Sequence, residues 1–322
     1  MYAESDAVDL VAVADVDEEQ LERFGDVWDI PEDRQYLGHE SMLEAEDLDV
    51  VSVATPTFLH HDHVVDAVRV GDPDAVWCEK PIASSVTDAR EMTDACAEAD
   101  TALVVNHTSR FTDNMSTVRN HVRDGLIGDV RSITGLFRRE LLRNATHVLD
   151  TMVFVTDSRG EHVSGYLNDT NDAADALGAT EPVDDSGGGG HVVFADGTFA
   201  TVDCTASREA STYAYHFVGT DGRIEINIVD GTWQYWDLLD GHHVERDLPG
   251  VEPDPQEYAR GFANAVDHID AVVAGDERNR SSGGDALRSL EIIVGLYVSD
   301  FTGGRVSLPL DRPLEDVAIR PW

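Results

Sequence analysis

Lysine is almost absent from this chain of 322 residues. The basic residues number 23, and Lys80 is the only lysine among them. Arginine therefore occupies nearly every position that needs a cation, which suggests that the one exception has a task that guanidinium cannot perform. A lysine can give up a proton near neutral pH when its pKa is lowered, whereas arginine stays protonated. We take Lys80 as a candidate catalytic residue; the alternative is the chance survival of one surface lysine.

Positive charge as a whole is scarce. Acidic residues number 63, and the formal net charge is −40 at pH 7. Such a field repels phosphate backbones and anionic lipid surfaces, so we expect neither nucleic acid nor a membrane as a partner. The acids are scattered, for example at 47–49, 184–185 and 267–270. This distribution favours a surface adapted to a salt-rich, halophilic cytoplasm, where salt screens the repulsion between acids; an acidic mesophilic protein is the alternative.

Cysteines and long apolar runs are also few. Cys78, Cys96 and Cys204 lie far apart and form no CxxC pair, which argues against a disulfide framework or a thiolate zinc site. No run of about 18 apolar residues occurs, and residues 1–10 lack the basic and apolar regions of a signal peptide. We therefore expect a soluble protein of a reducing cytoplasm.

The length suits two domains, and the pattern of elements changes near residue 111. Up to that point, short apolar strands alternate with helical segments, which predicts βαβ units on a parallel sheet. Beyond it, Asp-Gly pairs at 196–197, 221–222 and 240–241 lie between alternating runs and indicate β-hairpins. The predicted strands are 8–14, 50–55, 75–78, 102–106 and 130–137, and the predicted helices are 18–26, 60–70, 84–98, 116–124, 256–274 and 285–299.

Residues 186–190 (SGGGG) allow two interpretations. The composition is typical of a flexible linker, but it fits equally well with a loop that leads into a strand. We prefer the loop.

No GxGxxG turn is present. In a dinucleotide-binding fold, an acidic residue at the end of the second strand holds the adenosine ribose, roughly 20 residues after that turn. Asp15 follows an apolar strand and fits this role, but counting back that far passes Met1. We therefore expect that an in-frame upstream extension encodes the first strand and the glycine-rich turn; a real loss of both is the alternative. Without that central strand, the sheet would have two open edges.

Three motifs follow successive predicted strands, where an open α/β sheet binds its ligands. They are 54–57 (ATPT) with His60, 78–81 (CEKP), and Asn106 with Arg110 and Phe111. In this order they resemble the Gfo/Idh/MocA family, which comprises glucose-fructose oxidoreductase, inositol dehydrogenase and rhizopine catabolism proteins. The resemblance covers essentially the whole chain.

The resemblance implies an α/β fold: a truncated Rossmann parallel-sheet domain, 1–111, followed by an α+β domain for substrate binding and oligomerisation, 112–322, with an open, mainly antiparallel sheet. The implied function is that of an NAD(P)-dependent oxidoreductase, a dehydrogenase acting on a secondary hydroxyl of a sugar, cyclitol or related polyol. A homodimer or homotetramer is implied as well. Asp15 favours NAD over NADP, because its carboxylate accepts from a ribose hydroxyl and would repel a 2′-phosphate.

The resemblance also implies two catalytic residues. Lys80 would lie beside the nicotinamide and the reacting hydroxyl, and His147 would complete the proton path. Where the family has a D-x-G-x-H pattern, this chain has Arg143 in place of the aspartate and Ala145 in place of the glycine. The usual catalytic group is therefore incomplete.

Further contacts follow from the same resemblance. The expected cofactor contacts are Asp15, Thr55, Pro56, His60, Glu79, Lys80 and Asn106. The expected substrate contacts are Arg110, Asn144, Thr146 and His147. Of these, Asn144 or Thr146 is expected to supply the hydrogen bond that an aspartate at position 143 would make.

Two clusters have alternative interpretations. The histidines His60, His61 and His63 could suggest a metal site, but no Cys or Glu joins them at ligand spacing and we expect no metal. Arg138, Arg139 and Arg143 form a basic group that either pairs with surface carboxylates, which we narrowly favour, or meets an anionic substrate such as a sugar acid or nucleotide-linked sugar.

The alternative to an enzyme is a non-catalytic ligand sensor or partner protein that keeps the dehydrogenase fold, as some yeast galactose-pathway repressors resembling this family do. Arg143 and the absent glycine-rich turn favour the sensor. The retention of Lys80 favours the enzyme.

Overall fold

The computed structural model describes residues 5, 7–168 and 182–321. The helices of these ranges are α1 (Glu18–Trp28), α2 (His39–Ala45), α3 (His60–Asp66), α4 (Val86–Glu98), α5 (Asp113–Arg123), α6 (Thr146–Thr156), α7 (Glu257–Val273) and α8 (Gly283–Thr302). The strands are β1 (Val13–Ala14), β2 (Gln35–Tyr36), β3 (Val50–Val53), β4 (Ala75–Cys78), β5 (Ala102–Val105), β6 (Val130–Arg138), β7 (Gly160–Leu167), β8 (Val183–Asp184), β9 (Gly188–Phe194), β10 (Phe199–Ala206), β11 (Ala214–Gly219), β12 (Gly222–Asn227), β13 (Thr232–Leu239), β14 (His242–Asp247), β15 (Val306–Ser307) and β16 (Ile319–Arg320).

The parallel strands form two separate sheets in the N-terminal part. β1 pairs with β2, and β3, β4 and β5 pair in that order. The central β4 is buried over its whole length, because strands flank it on both sides. The predicted parallel sheet of βαβ units is confirmed.

The first predicted strand is wrong in extent. Only Val13 and Ala14 of the range 8–14 pair, both with β2, and Leu10 is 36% exposed. Within the described ranges no strand lies on the other side of β1, so residues 8–12 have no ladder to join.

A nine-stranded sheet forms the second part, in the order β14-β13-β12-β11-β6-β10-β9-β7-β15. Its neighbours are antiparallel except β6 and β10, which run parallel. The three predicted Asp-Gly hairpins are confirmed as the pairs β9–β10, β11–β12 and β13–β14. The predicted mainly antiparallel sheet is therefore present.

Helix α6 packs on this sheet and was not predicted. Gly135 of β6 lets it approach closely, since a Cβ there would lie 2.3 Å from Val148 and 2.5 Å from Met152. Nearly all residues of α6 are buried. A helix that is apolar on every side lacks the one-sided period by which helices are recognised in sequence.

The last two helices connect the two parts. Trp77 of β4 and Phe111 pack with Ala265 and Ile269 of α7 in one small buried cluster. Helix α8 begins with a capping box formed by Ser282 and Asp285. The division at residue 111 stays a prediction, and α7 covers the sheet that precedes it. No helix of the described ranges has the length and apolar character needed to cross a membrane.

The glycine-rich run belongs to a strand. Gly188, Gly189 and Gly190 begin β9, which lies between β7 and β10. A Cβ at Gly190 would lie 2.2 Å from the Ser164 carbonyl oxygen, and one at Gly189 would lie 2.3 Å from that of Val202. These glycines permit close approach of neighbouring backbones, and the linker interpretation is wrong.

We expect Gly190→Ala to destabilise the protein by roughly 1–3 kcal/mol, the usual cost of overpacking a well-filled interior. Urea unfolding at high salt measures the change. The control is Gly304→Ala, where a Cβ would have no neighbour within 4 Å. Equal stability of the two variants would contradict the strand assignment.

Candidate active site

The motifs that follow β3, β4 and β5 meet at one edge of the parallel sheet. Directly after β5, the Asn106 side-chain amide donates to Glu79 Oε1 at 2.6 Å. The Asn106 oxygen accepts from the Thr108 hydroxyl at 3.2 Å. The structure therefore brings Glu79 and Asn106 together, as their positions at strand ends predict.

His60 joins the two loops before Asn106. It is 1% exposed, its Nε2 lies 2.9 Å from the Thr55 carbonyl oxygen, and its Nδ1 lies 3.0 Å from that of Pro81. Burial lowers the pKa of His60 below its usual value, and these two contacts, with a third from Nδ1 to the Ile82 carbonyl oxygen at 3.2 Å, oppose that shift. Both ring nitrogens contact carbonyl oxygens of the protein, so His60 holds the loops of Thr55 and Pro81 together and offers no nitrogen to a cofactor.

The neighbouring histidines have separate partners. His61 contacts Asp62 at 2.8 Å and Glu91 at 3.1 Å, and His63 contacts the Thr55 hydroxyl at 3.1 Å. The histidine motif does not form a shared metal site with His60.

Lys80 reaches from the end of β4 to the second part of the chain. Its Nζ donates to the Arg143 carbonyl oxygen at 3.0 Å. Burial lowers the pKa of Lys80 below 10.5; Glu79 opposes this shift, and the charges of Arg143 and Arg138 add to it. A partly desolvated ammonium of this kind can exchange a proton closer to neutrality than an exposed one.

His147 lies in the first turn of α6. Its Nδ1 is buried and has no hydrogen-bond partner within the described part of the chain. Burial holds the pKa of His147 well below 6.5, and the positive charge of Lys80 acts in the same direction. Burial therefore favours the neutral ring, and the buried nitrogen keeps an unused capacity for a hydrogen bond.

Arg110 does not reach this site. It is 3% exposed, and its guanidinium donates to both carboxylate oxygens of Asp150 at 2.8 and 2.9 Å. A third donor bonds the Arg280 carbonyl oxygen at 2.8 Å. The expectation that Arg110 binds substrate is not supported, because its donors are used within the protein.

His107 lies beside this ion pair and is a buried residue that sequence reasoning missed. Its Nε2 is hydrogen-bonded to the Thr146 hydroxyl at 3.0 Å, which places Thr146 in the protein's own network. Burial, with the charge of Arg110, holds the pKa of His107 well below 6.5. Asp150 lies 3.4 Å away, but the bidentate Arg110 already compensates that carboxylate, so a neutral His107 is the consistent state.

Asn144 is also bound within the protein. Its amide donates to the Arg139 carbonyl oxygen at 2.7 Å and to Glu140 Oε2 at 3.0 Å, and its oxygen accepts from Arg138 Nε at 3.1 Å. Asn144 thus holds the loop before α6 and orients Arg138.

Asp185 is the carboxylate beside Lys80 that the sequence did not reveal. It accepts from the backbone amides of Leu142 and Arg143 at 3.0 and 2.9 Å and from the Tyr297 hydroxyl at 2.8 Å. Its charge also favours the ammonium form of Lys80. The sequence places Asp185 among scattered surface acids, and no local signal distinguishes it from them.

An open pocket of about 350 Å³ is lined in part by Arg143, whose carbonyl oxygen accepts the hydrogen bond from Lys80. We call it the arginine pocket. It is lined by Arg138, Arg139, Glu140, Arg143, Asn144, Ser207, Arg208 and Glu209.

Asp15 lies directly after β1, where it was expected. It is exposed, and its Oδ1 accepts from the Asp17 amide at 2.9 Å. Asp15, Glu79 and Asn106 thus directly follow β1, β4 and β5, whereas this sequence contains no GxGxxG turn.

Comparison with known proteins points to one family. Residues 1–107 match the model of an oxidoreductase family with an NAD-binding Rossmann fold. D-apiose dehydrogenase from Paraburkholderia graminis is 27% identical over 333 residues, which cover 95% of this chain and 85% of that protein.

Two solved structures have the same fold. Aldose-aldose oxidoreductase from Caulobacter crescentus, complexed with glycerol, has a TM-score of 0.76 at 23% identity over 95% of this chain and 94% of that one. An oxidoreductase from Agrobacterium radiobacter, in complex with NAD+, L-tartaric acid and magnesium, has a TM-score of 0.78 at 19% identity over 95% and 93%. Residues 1–107 thus match the Gfo/Idh/MocA oxidoreductase family, and the fold over nearly the whole chain is that of these solved oxidoreductases.

Proposed function

We propose that the protein is an NAD-dependent dehydrogenase that oxidises a secondary hydroxyl of a sugar, cyclitol or related polyol. The observation that carries this proposal is that the charge of Lys80 acts on a buried His147 whose Nδ1 has no hydrogen-bond partner among the described residues. Alcohol oxidation needs a proton acceptor and a group that stabilises the developing alkoxide. The two side chains meet both needs, and relatives named as sugar dehydrogenases support the substrate class.

The chain's own residues divide the work. His147 accepts the hydroxyl proton, and the Lys80 ammonium donates to the alkoxide oxygen as negative charge develops there. The Arg143 carbonyl holds Lys80 in place, and His60 fixes the loops on either side of it. The nicotinamide, when bound, supplies the hydride acceptor.

The proposed cofactor site runs along the carboxyl ends of the parallel strands. Asp15 would hold the adenosine ribose, while Thr55, Pro56, Glu79 and Asn106 would line the nicotinamide end. His60 would act indirectly, by positioning these loops. The Asp15 carboxylate supports NAD rather than NADP.

We further propose that the protein works in the cytoplasm as a homodimer or homotetramer. The thiols of Cys78, Cys96 and Cys204 are buried and unpaired, which suits a reducing compartment. Strands of the nine-stranded sheet expose large apolar side chains, among them Tyr166 and Phe199, which an assembly could cover.

We expect Lys80→Arg to lower turnover by about 10²-fold or more, the range for loss of a positioned donor to a developing oxyanion. Guanidinium is bulkier and planar, so it does not place its charge where the Lys80 ammonium donates, and charge alone does not rescue the variant. Steady-state kinetics over a polyol panel at high salt measures turnover, and cofactor titration checks that NAD affinity changes far less. Arg131→Lys, a reverse exchange at an exposed position, is the control. Undiminished turnover in Lys80→Arg would remove the catalytic assignment.

The pH dependence of kcat/KM follows from the two lowered pKa values. The pKa of His147 is held well below 6.5, so the midpoint of the acid limb should lie below pH 6.5. The pKa of Lys80 is lowered from 10.5, so the midpoint of the alkaline limb should lie below pH 10.5. Measuring kcat/KM across pH in wild type and His147→Gln tests this, since only the wild type should show the acid limb. An acid limb above pH 6.5 would contradict a neutral His147.

Asp15→Ser should narrow the preference for NAD over NADP. The substitution removes both a ribose acceptor and the charge that repels a 2′-phosphate. Fluorescence titration of wild type and variant with each cofactor gives the two affinity ratios, with Asp17→Ser as the control. A wild type that binds both cofactors equally would rule out this role for Asp15.

A further inference from the structure

We infer that the arginine pocket binds the charged group of the substrate, which is a monosaccharide-sized polyol carrying a carboxylate or a phosphate. This inference rests on the proposed function and names the substrate class for it. It assigns Arg138 and Arg208 as anion-binding residues.

The pocket concentrates the scarcest charge of the molecule. Four of the 22 arginines line it, against two glutamates, on a chain whose net charge is −40. The overall field opposes the approach of an anion, so an anionic ligand needs a strong local excess of positive charge. Sugars without charge have no need of such a cluster.

Two of the four arginines, Arg138 and Arg208, have no ion pair with a carboxylate of the described residues. Arg143 lies 3.6 Å from Glu140, as the surface-pairing interpretation predicts for it. Arg138 instead lies over the Phe137 ring at 5.0 Å, with its Nε bound to Asn144.

The guanidinium groups also repel one another. Burial lowers the pKa of Arg138, and the charges of Arg208 and Arg143 lower it further. A bound anion would relieve this repulsion and accept charge-assisted hydrogen bonds from planar donors suited to carboxylate and phosphate.

The loop that carries the pocket is held in shape before any ligand binds. Glu140 has φ +81°, in the left-handed region that residues with a side chain seldom occupy. Asn144 ties together the Arg139 carbonyl, the Glu140 carboxylate and Arg138. Prepared donors of this kind lower the entropic cost of binding.

Location and size connect the pocket to the reaction. The Arg143 carbonyl accepts from Lys80, and the charge of Arg138 acts on both Lys80 and His147, so the arginines of the pocket lie in the neighbourhood of the proposed catalytic pair. The volume of about 350 Å³ is at the low end for ligand pockets, roughly 300–1,000 Å³, and suits a monosaccharide better than a nucleotide-linked sugar.

Calorimetric titration of the full chain tests the inference at low and high KCl. The probes are D-gluconate and D-glucuronate, D-glucitol 6-phosphate, neutral D-glucitol and inorganic sulfate. We expect a sugar acid or the sugar phosphate to bind at least about tenfold more tightly than D-glucitol and sulfate, and the carboxylate and phosphate probes decide between the two anions. Added KCl should weaken the binding.

Variants locate the binding. Arg138→Gln and Arg208→Gln should each weaken anion binding by about tenfold or more, since each removes a charged donor. Arg131→Gln is the matched control, because this exposed arginine lies at the opposite end of β6 and pairs with Asp129 at 3.2 Å. Thermal unfolding of each variant checks folding, and Arg208 is exposed enough to replace without a core defect.

The results separate this inference from the proposed function. Oxidation of neutral polyols with no preference for anionic ones would overturn the anion pocket and leave the dehydrogenase. If the wild type binds anions, Arg138→Gln and Arg208→Gln lose that binding, and the wild type turns over no polyol, the result would support the pocket and overturn the dehydrogenase. Anion binding that is equal in all variants, or sulfate that binds as tightly as the sugar acids, would overturn the pocket.

Discussion

The hydrogen bond from Lys80 Nζ to the Arg143 carbonyl oxygen joins two parts of the chain that are 63 residues apart. Each end of this bond is fixed by its own support. His60 clamps the loop that follows Lys80, and Asp185 binds the amides of Leu142 and Arg143. Long-range contacts from three separate segments therefore position Lys80. The geometry of the site depends in turn on that position.

The second constraint is electrostatic. On a molecule of net charge −40, a half-buried cation has many possible partners, yet Arg138 forms no ion pair with a carboxylate among the described residues. Arg138 acts on both Lys80 and His147 and lowers the pKa of each. The same arginines that would attract an anion thus help to keep the proposed base neutral.

The sequence predicts the parts of this site that depend on local order. The uniqueness of Lys80 follows from composition, and the ends of β3, β4 and β5 follow from apolar runs, so Lys80 and Asn106 could be placed at one edge. Asp185 and Arg208 could not, because their roles depend on contacts with distant segments. Arg110 was assigned to substrate because motif order does not reveal Asp150 as its partner. The first strand was predicted too long for a similar reason, because strand pairing depends on a neighbouring strand that the segment itself does not reveal.

The packing of α7 against β4 has a consequence for the order in which the chain folds. Trp77, which is 1% exposed, is covered by Ala265 and Ile269, almost 190 residues further along the chain. During synthesis, which proceeds from the N-terminus, this apolar face stays open to solvent until residues 257–273 have left the ribosome. The apolar face of β4, in the first third of the sequence, is therefore covered only after the last quarter of the chain has been synthesised. Early local folding cannot bury this face.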